Sequence, residues 1–394
     1  MKTKWVIAIL LLILLGVVWQ QSFLYPADTS AVGDGNFNST FAKNNDSFSA
    51  VLSKDSKGFA RAFKPQKFSF PSDHGPHNLF RSEWWYFTGN LKNPQGRRFG
   101  YELTFFRFAL KPDLPESKST WRTNQLYMAH LTLTDVENNR FYTDERVSRA
   151  GNDMAGASNK SYQVWLYDWY AKAEGKIDFP LRLHAKSGDF AIDLLLTSPK
   201  DYVLQGDNGL SQKSPELGNA SYYYSYPRLE TEGTVSVGGK QFSVVGTSWM
   251  DREWGTSALS NEQVGWDWFA LQLSDNTELM FYQLRRKDRQ RDSNSSGSYV
   301  LADNTKLSLK DQDVTIKTLD SWKSPHSKIT YPSRWHLSVP SQSLELEIIP
   351  LIKDQELNVS YRYWEGAVQV IGTKQGRVIS VQGYVELTGY KKED

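Results

Sequence analysis

The amino-acid sequence predicts an all-β protein made of antiparallel barrels or sandwiches, divided into two domains. Three observations carry this. Past Phe63 the apolar residues alternate with a period of two in many short runs, joined by Gly, Asn and Asp turns, with almost no helical pattern. The chain has 394 residues, more than one core of about 250–300 residues accommodates. Its 14 Trp, 20 Tyr and 20 Phe sit in a chain only 39% hydrophobic. Such rings bury about 150–250 Å² each and suit strands and apolar-ligand pockets.

At the N-terminus, Lys2 and Lys4 precede an apolar run from Trp5 to Trp19, the pattern of an export signal. The run is short for a full span, which needs about 20 residues. Residues 1–22 are therefore expected to be a signal or a membrane anchor. That expectation places the protein in the periplasm or cell envelope, soluble after cleavage or held to the membrane by the N-terminal helix. The aperiodic Gly, Ser, Asn and Asp stretch that follows makes 23–65 a linker. Within it, Val51, Leu52, Phe59 and Phe63 fall on one face of a short amphipathic helix. The domains are then 66–240 and 241–394.

Strands account for the rest. In "EWWYFTGNL", Trp85, Phe87 and Leu91 share one face, and Trp84, Tyr86 and Thr88 share the other. "FGYELTFFRFAL" and "LYMAHLTLTD" alternate likewise, and Leu181, Leu183 and Ala185 oppose Arg182, His184 and Lys186. "TVSVGGKQFSVVG" is a hairpin turning at Gly238-Gly239. "ELMFYQLRR", "SRWHLSVP", "SLELEIIP", "EGAVQVIG" and "GYVELTGY" supply further strands. "EWWYFTGNLKNPQGRRFGYELTFFR" and "GWDWFALQLSDNTELMFYQLR" echo each other, with Arg107 matching Arg285. A duplication of that kind puts the domain boundary near Gly233 to Gly246.

Several function classes are disfavoured. With 46 basic and 44 acidic residues the charge is +2, which leaves no electrostatic footprint for nucleic acid. The absence of cysteine excludes disulfides, thiolate nucleophiles and Cys-ligated zinc. No Gly-x-Ser-x-Gly, Walker loop or dinucleotide glycine pattern occurs. "DHGPH" offers Asp73, His74 and His77, yet it turns at Gly75-Pro76 and has no third histidine nearby; no metal and no cofactor are expected. His130 reads as a hydrogen-bonded core histidine and His184 as a surface one.

Chemistry concentrates in "GTSWMDREWGTSALSNEQVGWDWFALQL", where Asp251, Arg252, Glu253 and Asp267 are threaded among Trp249, Trp254, Trp266 and Trp268. An acid held neutral by apolar surroundings beside indole faces could protonate an alkene and stabilise the resulting cation. Asp251, Glu253 and Asp267 are the candidates, although Asp267 points away from Trp266 and Trp268 on its strand. Alternatively, Arg252 clamps Asp251 or Glu253, keeps it ionised and makes a structural latch. Trp364 and Glu365, with Glu356 upstream, read as packing plus an ion pair.

The motifs "SEWWYFTGNL", "FGYELTFFR", "VSRAGNDMAGA", "WLYDWYA", "YYYSYPRLETEGTVSVGG", "WMDREWG" and "GWDWFALQL" resemble the hydroxyneurosporene synthase (carotenoid 1,2-hydratase)-like family. "QELNVSYRYWEGAVQVIG" and "GYVELTGY" extend the resemblance, which runs from about Phe68 to Tyr390 and takes in AttH-type proteins. It implies two consecutive lipocalin-like antiparallel β-barrels, with the signature residues near their contact. For the hydratases it implies cofactor-free addition of water to a terminal isoprenoid double bond. For fungal relatives it implies pericyclic cyclisation, and for some bacterial ones a link to an ABC transporter. The hydratases' His-x-Trp element falls on Arg252-Glu253-Trp254, and their Tyr-x-Asp element on Tyr282-Gln283-Leu284. Trp254 and Tyr282 match; the histidine and aspartate do not.

The leading expectation is therefore an exported protein binding an apolar isoprenoid or lipid-like ligand. Trp84, Trp85, Tyr86, Trp254, Trp266, Trp268 and Trp364 would line the cleft, with Arg252, Arg107, Arg285 and Glu365 in ion pairs. A hydro-lyase or cyclase using Asp251, Glu253, Asp267 or Tyr282 is the alternative. A third is an accessory subunit of an envelope transporter. The "hydrolase" label attached to relatives finds no triad here.

Overall fold

The computed structural model describes residues 56–392 apart from 115, 117, 176, 177, 257 and 258. The expected signal or anchor over 1–22 and most of the linker lie outside the described residues. The amphipathic helix is not found where it can be checked. Phe59 sits in a turn closed on Ser56, and Phe63 is 55% exposed, so its ring is not part of an apolar helix face.

Strands dominate, as the period-two pattern requires. The first sheet begins as a meander of β1 (Ser82–Lys92), β2 (Arg98–Ala109), β3 (Gln125–Asp135) and β4 (Arg140–Arg149). Short strands follow: β5 (Ala155–Ser158), β6 (Gln163–Leu166), β7 (Trp169–Ala173) and β8 (Leu181–Ser187). Next come β9 (Phe190–Thr197), β10 (Val203–Leu204) and β11 (Leu210–Gln212). Two long strands, β12 (Ala220–Val237) and β13 (Lys240–Gly255), finish the sheet. Its order is β4-β3-β2-β1-β13-β12-β9-β8-β7-β6-β5. The sheet curls until β2, β3 and β4 meet β6, which makes a nearly closed barrel.

The second sheet comprises β14 (Gln263–Leu273), β15 (Glu278–Arg286), β16 (Ser296–Val300), β17 (Lys306–Lys310) and β18 (Thr315–Lys323). It continues with β19 (Thr330–Val339), β20 (Leu344–Pro350), β21 (Glu356–Leu357), β22 (Tyr363–Lys374) and β23 (Arg377–Leu387). In the order β17-β16-β15-β14-β23-β22-β20-β19-β18 it forms a half-barrel. No α-helix occurs among the described residues.

Local chemistry explains the details. Gly238 and Gly239 turn the β12–β13 hairpin with φ of 58° and 73°, the left-handed pair that a tight hairpin turn demands. Proline has no N–H to give a ladder, and β12 slips register across Pro227, between Tyr226 and Leu229. The arginines of the sequence echo do occupy like places: each closes a hairpin and pairs with an acid of its first strand, Arg107 with Glu83 and Arg285 with Asp267. The sheets change over between Gly255 and Gln263, later than the expected boundary at 240/241. β13 is held between β1 and β12 along its whole second half, so it belongs inside the first sheet.

Three apolar clusters result. One fills the first barrel around Trp85, Trp169 and Trp254, and one fills the second around Trp335 and Trp364. The third lies between the sheets, where Tyr86, Tyr223 and Trp249 meet Trp268, Tyr282 and Tyr384. The two sheets approach closely at Gly100, where a Cβ would lie 2.4 Å from the Ala367 methyl. Gly100→Val is therefore expected to wedge them apart, costing roughly 1–3 kcal/mol as overpacking does. Urea denaturation checks this; unchanged stability would show the sheets are not in contact there.

Candidate active site

Side-chain alternation sorts the signature residues onto two faces. In β13, Trp249, Asp251 and Glu253 face the second sheet, while Met250 and Trp254 enter the first barrel's core. Trp84 and Tyr86 of β1 face the same way as Asp251, whereas Trp85 and Phe87 turn inward. From the other sheet come Trp266 and Trp268 of β14, Tyr282 of β15, Tyr363 and Glu365 of β22, and Glu386 of β23. These side chains enclose a cavity of about 130 Å³. That is close to the roughly 150 Å³ known to admit a benzene-sized group.

The cavity is aromatic but acidic. Lys213 is the one cation among its described lining residues, and it pairs with Glu253 at 2.9 Å while lying 4.5 Å from the Tyr282 ring centre. Asp251, Glu365 and Glu386 form no ion pair among the described residues. Burial pushes the Asp251 carboxyl up to about 7, against hydrogen bonds from Ser225, Tyr223 and Trp249. Burial likewise pushes Glu386 up to about 7, although Trp266 Nε1 donates to it at 3.0 Å. Glu365 lies directly across from Glu386 on the adjacent strand. Burial first, then the neighbouring Glu386 and Glu102, hold it well above the usual carboxylate range. Tyr86 donates to Glu365 Oε2 at 2.9 Å, and Glu365 Oε1 has no hydrogen-bond partner among the described residues. Carboxyls in this state keep a proton up to about neutral pH, where ordinary carboxyls have lost it, and can donate it.

The expected arginine latch exists with a different acid. Arg252 pairs with the carboxylate of neither Asp251 nor Glu253, touching only the Glu253 backbone carbonyl at 3.2 Å, because its side chain points to the opposite face of β13. It pairs with Glu83, donates to the Gly75 carbonyl at 2.5 Å and stacks 3.9 Å from the Trp85 ring centre. Arg107 grips the same Glu83 and the carbonyls of His77 and Phe80. Burial alone would raise the Glu83 carboxyl, but the two guanidinium groups hold it well below the usual range. His77 joins Glu83 and Asp73 and stacks on Trp254 at 3.8 Å, while His74 is held by Tyr224 and Asp178.

Other candidates are redistributed. Asp267 lies off the cavity, bound by Arg285 at 2.9 Å and Tyr390 at 3.0 Å. Trp85 and Trp254 are packed in the first barrel and Trp364 in the second, so none lines the cavity. Glu365 is a cavity carboxyl bound by a tyrosine, not half of an ion pair. Tyr282 does line the cavity, its hydroxyl within 3.0 Å of Ser211 and 2.7 Å of Ser296. Glu356 sits among Ser324, Ser327 and Tyr331. His130 is buried and hydrogen-bonded; His184 is half-buried against Asp193. Sequence reasoning missed Lys213, Tyr223, Tyr363 and Glu386. For Glu386 a signal existed, a lone acid in the apolar strand "GYVELTGY".

Two lipocalin-like barrels whose outer faces enclose an aromatic, acid-bearing cavity define the class of protein. Residues 61–390 match the AttH-like family, and the chain belongs to it. It is similar to kievitone hydratase of Fusarium solani subsp. phaseoli, 23% identical over 267 residues, 65% of this chain and 71% of that one. A solved structure of an AttH from Nitrosomonas europaea superposes with a TM-score of 0.75 at 34% identity, covering 84% of this chain and 100% of that chain. The kievitone hydratase structure from Nectria haematococca has the same fold, with a TM-score of 0.65 at 16% identity over 85% of this chain and 97% of its own.

Proposed function

We propose that the protein is a cofactor-independent hydro-lyase adding water to the terminal double bond of an apolar, isoprenoid-like substrate. The observation that carries this is the presence of carboxyls held neutral, and unclamped by any arginine, against indole and phenol faces. The similarity to kievitone hydratase supports the same reaction class. Had Arg252 clamped Asp251, binding without chemistry would have been the better reading.

The neutral carboxyl of Glu386, facing Glu365, gives its proton to the terminal alkene carbon, and the π pair becomes the new C–H bond. The tertiary cation left behind lies among the rings of Tyr86, Trp266 and Trp268, each face contributing about 0.5–2 kcal/mol. Water then bonds to the cation and releases a proton. The lysine-flanked apolar run at the N-terminus supports placing this activity in the cell envelope.

The experiment is incubation of the full chain with kievitone, and with a panel of acyclic prenyl-terminated alkenes, in ¹⁸O-labelled water. An alcohol carrying the label is expected by mass spectrometry. Substrate that binds but is recovered unchanged would make the protein a carrier instead.

A further inference from the structure

Behind the cavity wall three side chains form a chain from the cavity toward the surface. Tyr363, a lining residue on β22, places its hydroxyl 2.7 Å from Nδ1 of His130 on β3. Nε2 of His130 lies 3.0 Å from Glu145 Oε2, its cross-strand neighbour on β4. Ser360 also donates to Glu145, and the edge of Phe106 packs on the His130 ring at 5.3 Å. His130 is fully buried, whereas the Glu145 side chain is 10% exposed.

The direction of these bonds follows from their chemistry. Burial would raise the Glu145 carboxyl, but the hydrogen bond and the electrostatic pull of His130, then hydrogen bonds from Ser360, outweigh it and hold it below the usual range. An ionised carboxylate only accepts, so Nε2 of His130 carries the ring proton. In the neutral ring Nδ1 is then a bare acceptor, and the Tyr363 hydroxyl donates to it. The Tyr363 oxygen keeps its lone pairs for a molecule in the cavity. A core histidine held only for packing would need neither a partner lining the cavity nor one at the surface.

We infer that Tyr363, backed by His130 and Glu145, is the base side of the reaction. The inference rests on the hydration reading above. As the water oxygen bonds to the cation, a water proton passes to the Tyr363 oxygen and the Tyr363 proton passes to His130 Nδ1. The imidazolium so formed is paired with Glu145, which leads the proton to solvent. The spent Glu386 carboxylate regains a proton from solvent, so the net change is alkene plus water to alcohol. Tyr363 is the catalytic residue here; His130 and Glu145 position it and accept charge, the order of parts found in other base-activated sites. The other titratable groups facing Tyr363 are Glu102, Glu365, Glu386 and Tyr361, on both sheets.

The test uses the full chain and the variants Tyr363→Phe and His130→Gln, with ¹⁵N-histidine NMR alongside turnover. Each variant is expected to lower kcat by about 100-fold or more with KM unchanged. In D₂O, Tyr363→Phe is expected still to place deuterium on the alkene carbon, because the proton donor lies elsewhere. NMR is expected to show the His130 proton on Nε2. Wild-type kcat in both variants, or a proton on Nδ1, would overturn the inference while leaving the hydration reading standing. Absence of hydration by the wild type would sink that reading and this inference with it.

Discussion

Glu386→Gln is expected to lower hydration kcat by about 10²- to 10⁴-fold, the range over which general acids act. The amide keeps the shape and still accepts the Trp266 hydrogen bond, but it has no acidic proton to give. Asp251→Asn is the less clean substitution. Three donors converge on Asp251, and an amide nitrogen turned toward the Trp249 indole N–H, which cannot accept, would be repelled by it. The same change carries a signature in stability. Burial pushes Glu386 up from 4.5 to about 7. A carboxyl whose folded-state value is raised binds its proton more tightly in the native chain than in the unfolded one. Its contribution is therefore full below the unfolded value near 4.5 and is lost as pH rises through about 7. Glu386→Gln is expected to remove that dependence and to stabilise the protein at pH 8, by on the order of 3 kcal/mol at about 1.4 kcal/mol per unit. Thermal unfolding between pH 5 and 8 reads this directly. A wild-type Tm that rises across that interval, or one that the substitution leaves unchanged, would place an ionised group at 386.

Glu83→Gln is expected to be the most damaging single substitution for the fold. Glu83 is completely buried and accepts from both Arg107 and Arg252, which are themselves buried. Removing its charge leaves two guanidinium groups facing each other in the barrel without their counter-ion. Breaking a buried pair in this way costs about 3–5 kcal/mol, and the Tm should fall by roughly 10 °C in a chain of this size. The loss is expected with the cavity carboxyls intact, since β13 presents Arg252 and Asp251 on opposite faces. Chemical denaturation provides the check. A loss below about 1 kcal/mol would mean that water already reaches the cluster and screens it.

The strands were legible because their faces differ in chemistry. A period of two in "EWWYFTGNL" or "GWDWFALQL" specifies which residues share a face, and the structure keeps those partitions. Alternation also contained the answer to the arginine problem, since Arg252 could not face the same way as Asp251 and Glu253. What alternation cannot give is the partner. Glu83 and Arg252 are 169 residues apart in the chain, and only the β1–β13 register brings them together. Tyr363 and Glu386 look like ordinary core and rim positions of their strands until β22 and β23 are laid against β14 and the first barrel. Trp85, Trp254 and Trp364 misled for a related reason. A large indole signals burial whether it faces a cavity or a solid core, and these three fill the barrels. The echo put the boundary near the β12–β13 turn, but the backbone of β13 pairs within the first sheet, so the sheets change over only after Gly255.

Infrared spectroscopy of the carboxyl C=O stretch, titrated through neutral pH, tests the central assignment without any substrate. The account predicts a band from buried protonated carboxyls, of which the Asp251 and Glu386 part fades with a midpoint near 7 and is diminished in Glu386→Gln. A spectrum showing only ionised carboxylates from pH 5 upward would contradict it.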